Sequence, residues 1–247
     1  MGPKTNRRDV LKSGLLGTAG LPWIAGIHAA ENVENKLKIL VAGGHPDDPE
    51  TGCGGTMAAC SSAGHEVVSL YLTTGERGIP GKGLEESAAI RKKEAETACK
   101  ILGCKPLFAG QIDGDTVVNN EWYDKIRSIV EKEQPDIVFT HWPIDTHRDH
   151  RAISLLIYNS WLSLNRTFEL FYFEVLSGAQ TQHFHPTHFV DISETEAVKE
   201  KACRAHKSQN PDSFYPYHQE MSSFRGKEGG YTHAEGFVRQ HNARYSM

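Results

Sequence analysis

The stretch GGHPDDPETGCGG, residues 43–55, sets His45, Asp47 and Asp48 between glycines, directly after the apolar run LKILVA at 37–42. Two neighbouring carboxylates repel each other, and neither belongs in an apolar core. Such a stretch is either a solvated turn or half of a cation site. A second stretch, THWPIDTHRDH at 140–150, gathers His141, Asp145, His147, Asp149 and His150. One histidine alone would suit a surface or a satisfied core position. Two loops that both combine imidazole with carboxylate can close three ligands around a cation and leave a place for water, the arrangement of catalytic zinc. Magnesium or calcium, held by oxygen alone, would not need the histidines.

Such chemistry needs a scaffold that brings both loops to one edge. The run at 37–42 is short and continuously apolar, the pattern of a strand buried on both faces. A helix over 51–63, with small residues toward the sheet, and a strand EVVSLYL at 66–72 follow it. The Gly-rich loop TTGERGIPGKG at 73–83 leads into a helix over 84–102, with apolar Ala88, Ala95, Ala98 and Leu102, closed by Gly103. The pattern then predicts strands over 105–109, 135–141 and 169–176 and helices over 122–132 and 149–164. A last helix spans 193–208, with Ser193 and Glu196 as a capping box. Strands separated by helices of this length predict βαβ units, and so an α/β, Rossmann-like, largely parallel sheet flanked by helices. Ligands of such sheets bind beyond the carboxyl ends of the strands. Both His/Asp loops follow strands.

At 247 residues the chain suits one sizeable domain or two small ones. Its hydrophobic fraction of 38% and charged fraction of 23% are those of a soluble globular protein. A net charge of -4 gives no basic stripe, so no nucleic-acid partner is expected. No apolar run outside the N-terminus is long enough to span a membrane. The five cysteines, Cys53, Cys60, Cys99, Cys104 and Cys203, are odd in number and show no CxxC spacing, which suits small buried hydrophobes. The N-terminus stands apart. Arg7-Arg8, then Val10-Leu11-Lys12 and a weakly apolar stretch ending in small residues, resemble a twin-arginine export signal, with Val10 where an aromatic is usual. Cleavage near Ala29 or Ala30 would make residues 1–30 the signal and 31–247 one domain, exported to the periplasm or beyond.

With HPDD after the first strand and HxDH at 147–150, the sequence resembles the PIG-L/LmbE-like family of zinc-dependent de-N-acetylases. TTGERG at 73–78, RKKEAETACKILG at 91–103 and KEKACRAHKSQ at 199–209 follow in the family's order. The resemblance implies Zn2+, or another divalent transition metal, on His45, Asp48 and His150. It implies Asp47 as general base, His147 as the group that stabilises or protonates the tetrahedral intermediate, and Asp149 as the acid that orients His147. Glu76 and Arg77 would touch the substrate; as residues alone they equally suit an exposed charged turn. Asp113 and Asp115 either accept sugar hydroxyls or make a turn. His206 either reaches the site or favours a helix C-terminus, a structural role being preferred, and HFHPTH at 183–188 either binds a further metal or, the preferred reading, forms a solvated loop. Asp145 stands where some members carry a tyrosine. The activity implied is hydrolysis of the amide of an N-acetylated amino sugar or glycoconjugate. A metal-binding sugar-recognition module is one rival, which Asp47, a carboxylate that binding alone does not need, speaks against. A hydrolase of another bond is a second. A nucleotide-binding enzyme is a third, but the opening lacks GxGxxG.

Overall fold

The computed structural model describes residues 36–242. The signal-like segment 1–30 lies outside the described residues. Strand β1, Lys38–Gly43, forms where the apolar run forbids a solvated face. Its side chains alternate between two cores: Ile39 and Val41 join one, Leu40 and Ala42 the other. Helices α1 (Asp48–Ser62) and α2 (Leu84–Leu102) cover the first face, together with α5 (Glu196–Cys203). Helices α3 (Asn120–Glu133) and α4 (Arg148–Ser163) cover the second through Ile126, Val130, Ile153, Leu156 and Trp161. Helix α1 lies close because it is built of small residues. A Cβ on Gly52 would stand 2.3 Å from the Phe173 ring.

Strands β2 (Glu66–Thr73), β3 (Lys105–Gln111), β4 (Ile137–His141), β5 (Glu169–Phe173), β6 (His188–Asp191) and β7 (Ala234–Arg239) complete the sheet. Among the described residues its order is β3-β2-β1-β4-β5-β7-β6. The five strands from β3 to β5 run parallel; β7 pairs antiparallel with both β5 and β6. The sheet is therefore the expected largely parallel α/β sheet with an antiparallel edge. From β1 the chain winds one way to β2 and β3, then crosses to β4 on the other side. The loops after β1 and β4 consequently diverge around one crevice, the place where doubly wound sheets bind ligands.

The main departures from the sequence reading lie in the last third, where strands β6 and β7 are also unannounced. The expected strand to Leu176 stops at Phe173. The expected helix over 193–208 is α5, Glu196–Cys203, followed by a 3-10 turn at Lys207–Gln209. Its capping box does not form: Ser193 Oγ donates to Asp191 (2.6 Å), and the Glu196 carboxylate accepts from the Tyr215 hydroxyl (2.7 Å). Tyr215 belongs to α6, Pro211–Gly229, which tolerates Pro216 in its first turns and which hydrophobic periodicity does not announce. All five cysteines are free thiols, buried except for half-buried Cys104. No helix among the described residues is long and apolar enough to cross a membrane.

Candidate active site

The loop after β1 turns straight into α1, so Asp47 and Asp48 sit at that helix's N-terminus, where the backbone favours negative charge. The loop after β4 turns into α4 in the same way, with His147 as the capping residue and His150 in the first turn. The Asp48 carboxylate lies at the meeting point. Oδ2 is 3.2 Å from His45 Nδ1 and 3.3 Å from His141 Nε2, and Oδ1 is 3.3 Å from His150 Nε2. The His141 and His150 rings stack at 3.9 Å.

The outward nitrogens have carboxylate neighbours. His45 Nε2 donates to Asp149 Oδ2 (3.0 Å) and lies 3.2 Å from Asp113 Oδ1. His150 Nδ1 is 3.2 Å from Asp145 Oδ1, though not aligned as a hydrogen bond. A carboxylate behind an imidazole fixes its tautomer and leaves the opposite nitrogen as a lone-pair donor, the usual support of a metal-ligating histidine. Ligand atoms of His45, His147 and His150 lie within 4.8 Å of one another, and so do those of Asp48, His141 and His150. The expected set of His45, Asp48 and His150 draws on both groups. Imidazole and carboxylate, converging and backed in this way, fit a zinc-type ion.

The electrostatics follow from burial and these contacts. Burial opposes charge on His150, yet the Asp48 and Asp145 carboxylates lift its pKa to about 9, so the pocket draws positive charge. Burial pushes the Asp47 carboxyl up, as does the Asp48 charge, while Arg91 and His206 pull against them. His147 is held below the usual imidazole range by burial first, then by the positive character of His45 and His150. Its Nδ1 accepts from the Asp149 backbone N–H (3.3 Å), which leaves the neutral ring's proton on Nε2. Burial raises the Asp149 carboxyl, but His45, Thr116 and Gly114, all donating to it, bring it well below its ordinary range.

This changes the expected roles. The Asp149 carboxylate holds His45; only its backbone N–H meets His147, because the first turn of α4 points the side chain towards Gly114 and Thr116. Asp113, expected to meet substrate, also faces His45 and accepts from Arg77 N–H (3.1 Å). Asp115 N–H closes a turn onto Ile112 C=O (3.0 Å). Glu76 is buried, accepting from the Thr74 hydroxyl (2.5 Å) and Asp113 N–H (3.0 Å), and Arg77 is exposed. None of these three expected substrate contacts, Glu76, Arg77 and Asp113, lines the cleft.

The cleft holds about 260 Å³. His45, Asp47, Asp48, His147 and His150 form its floor, and Arg91, Leu176, Gln180, Gln209, Phe214 and His218 are among its walls. Arg91 is buried, with Nη2 bonded to Pro46 C=O and 3.2 Å from Asp47 Oδ2. His218 is buried on α6, and burial, then Lys199, pushes its pKa down to about 3. Sequence reasoning missed these walls. Arg91 stood within the quoted helix pattern without a role, and α6 was not recognised as a helix.

Fold and cluster together define a Rossmann-like α/β protein with a His/Asp centre, able to hold a metal, at the carboxyl edge of its sheet. Comparison with known proteins gives the class a family. The family described as GlcNAc-PI de-N-acetylase, PIG-L, matches residues 40–161, from β1 to α4. Diacetylchitobiose deacetylase of Thermococcus kodakarensis is 33% identical over 224 residues, 81% of each chain. The N,N'-diacetylchitobiose deacetylase structure from Pyrococcus horikoshii superposes with a TM-score of 0.73 at 25% identity, covering 97% of this chain and 95% of that one. A conserved protein of Thermus thermophilus superposes at 0.74 with 29% identity, covering 85% and 97%. The chain belongs to the PIG-L family.

Proposed function

We propose that the chain is a zinc-dependent N-deacetylase that removes acetyl from an N-acetylated amino sugar or glycoconjugate, releasing acetate and a free amine. The observation that carries this is the pairing at the mouth of α1. Asp48 faces three imidazoles, while its neighbour Asp47 faces the cleft with an upward-pushed carboxyl. His45, Asp48 and His150 would hold the ion. When bound, zinc lowers the pKa of water from about 15.7 to roughly 7 and polarises a carbonyl. Asp47 takes the proton from the attacking water, a task suited to a carboxyl above its ordinary range. His147, with its proton on Nε2, would hydrogen-bond to the developing oxyanion, and the proton that Asp47 has taken from water would pass to the departing amine. Asp149 and Asp113 keep His45 in the tautomer that leaves Nδ1 free. Arg91 and the walls from α6 hold the sugar; the two archaeal relatives are deacetylases of diacetylchitobiose. Residues 1–30, by their sequence, would export the domain; cell fractionation with and without Arg7→Lys and Arg8→Lys tests that.

The test is free-amine release by the purified domain on a panel of N-acetylated sugars and chito-oligosaccharides, with zinc and with a chelator. Release that requires the metal and is lost in Asp47→Ala is the expected result. A sugar-binding module would instead bind the panel and release no amine.

A further inference from the structure

Asp47 has φ 112 and ψ -27, a backbone conformation that side-chain-bearing residues rarely adopt. Its neighbours hold it there. Arg91 bonds the Pro46 carbonyl, and the Thr51 N–H (2.9 Å) and hydroxyl (3.0 Å) both donate to the Asp47 carbonyl. Arg91 and Thr51 also line the cleft. The fourth contact comes from the opposite side: the Asp47 N–H donates to Glu50 Oε2 (3.2 Å). Glu50 is fully buried and does not reach the cleft. Its other oxygen accepts from the hydroxyl of Tyr71 (2.5 Å), itself fully buried on β2. His206 closes the space behind, 3.5 Å from the same oxygen. The peptide that aims Asp47 is thus tied through one carboxylate to β2, an interior strand of the sheet.

We infer that Glu50, anchored by Tyr71, is a positioning residue for Asp47, setting turnover by holding the strained peptide and never touching the substrate. This rests on the reading of Asp47 as base. The competing account is that Glu50 only caps α1, a role that supports helix stability and leaves the turnover of the folded molecule alone. Position and cap separate because a base displaced by a fraction of an ångström loses rate while binding survives.

The experiment compares Glu50→Gln and Tyr71→Phe with the unaltered chain. A carboxamide offers one acceptor oxygen, so with that oxygen on the Asp47 N–H the Tyr71 anchor survives only if its hydroxyl turns from donor to acceptor of the amide N–H; Tyr71→Phe removes that anchor outright. Amine release is measured per mole of bound zinc, and crystal structures of the parent and Glu50→Gln give the Asp47 φ. We expect kcat per bound zinc to fall about 10- to 100-fold in Glu50→Gln, with KM within about twofold. Tyr71→Phe shifts the same way by less, and Asp47 leaves the positive-φ region in Glu50→Gln. Unchanged kcat per bound zinc with a lowered Tm would reduce Glu50 to a cap and overturn the inference. If Glu50→Gln does not fold, Tyr71→Phe, which deletes one oxygen, carries the same readings. If the unaltered chain releases no amine from any acetylated sugar, the deacetylase reading fails instead. The Asp47 φ still decides the positioning: relaxation in the variant supports it, and an unmoved φ overturns it.

Discussion

From β1 to α4 the chain is four parallel strands with their crossover helices, and it carries every carboxylate and imidazole of the His/Asp centre. From β5 onward it is mixed: one more parallel strand, an antiparallel edge, and α5 and α6. Among the described residues that later region places none in the centre but supplies Leu176, Gln180, Gln209, Phe214 and His218 to the cleft. The family match follows the same line, ending at residue 161. The His/Asp centre therefore comes from the first stretch alone, and most of the cleft's walls, Arg91 apart, from the second. The first is fixed by where parallel strands end. The second is free to change with the substrate, because walls can be rebuilt without disturbing the His/Asp centre.

If that division holds, changes in the His/Asp centre abolish reaction and changes in the later walls alter recognition. The largest effect belongs to Asp48, which faces His45, His141 and His150 at once. Asp48→Ala should lose zinc stoichiometry and amine release together, read by metal analysis and activity on the same sample. Full zinc content in that variant would remove Asp48 from the ligand set. His147→Ala is next. It should keep its metal and lose about 10²- to 10³-fold in kcat, the usual cost of one oxyanion donor. A His147→Ala protein purified without zinc would make His147 a ligand, which its grouping with His45 and His150 permits geometrically.

A third change tests the join between the regions. Glu235 on β7 accepts from Lys199 Nζ on α5 (2.7 Å) and from the Gly55 (2.9 Å) and Thr56 (2.8 Å) N–H groups of α1, all buried. Glu235→Ala leaves Lys199 charged and unpaired inside the protein, so about 3–5 kcal/mol of stability should be lost. Denaturant unfolding measures it. A loss below about 1 kcal/mol, the worth of an exposed pair, would mean the two regions hold together without this tie.

The same division explains what the sequence made legible. Continuous apolar runs such as 37–42 and a periodic helix such as 84–102 announce themselves, and α2 has the expected boundaries. Residue types at strand ends likewise disclosed both His/Asp loops. Spacing does not say where a carboxylate points. Asp149 is two residues from His147 yet turns to His45, and Asp113 faces His45 from β3's far loop. Helix α6 stayed hidden because its buried residues include Pro211, His218 and Ser222, no apolar stripe, and because Pro216 reads as a break. The walls of the cleft were therefore the least readable part of the molecule.

Phe214 is where the comparison can be sharpened with the smallest change. It lies half-buried on α6, edge-on to His218 at 6.1 Å, and lines the cleft without touching the His/Asp centre. An aromatic face beside a sugar ring contributes mainly to binding, on the order of 1 kcal/mol. Phe214→Ala should accordingly raise KM about three- to tenfold, with kcat within about twofold and zinc content unchanged. Because the effect is on recognition, it should differ between mono- and disaccharide substrates, being larger for whichever sugar reaches α6. A drop in kcat that is equal for every substrate would show that the later region takes part in the chemistry, and the division between the two regions would fail at this residue.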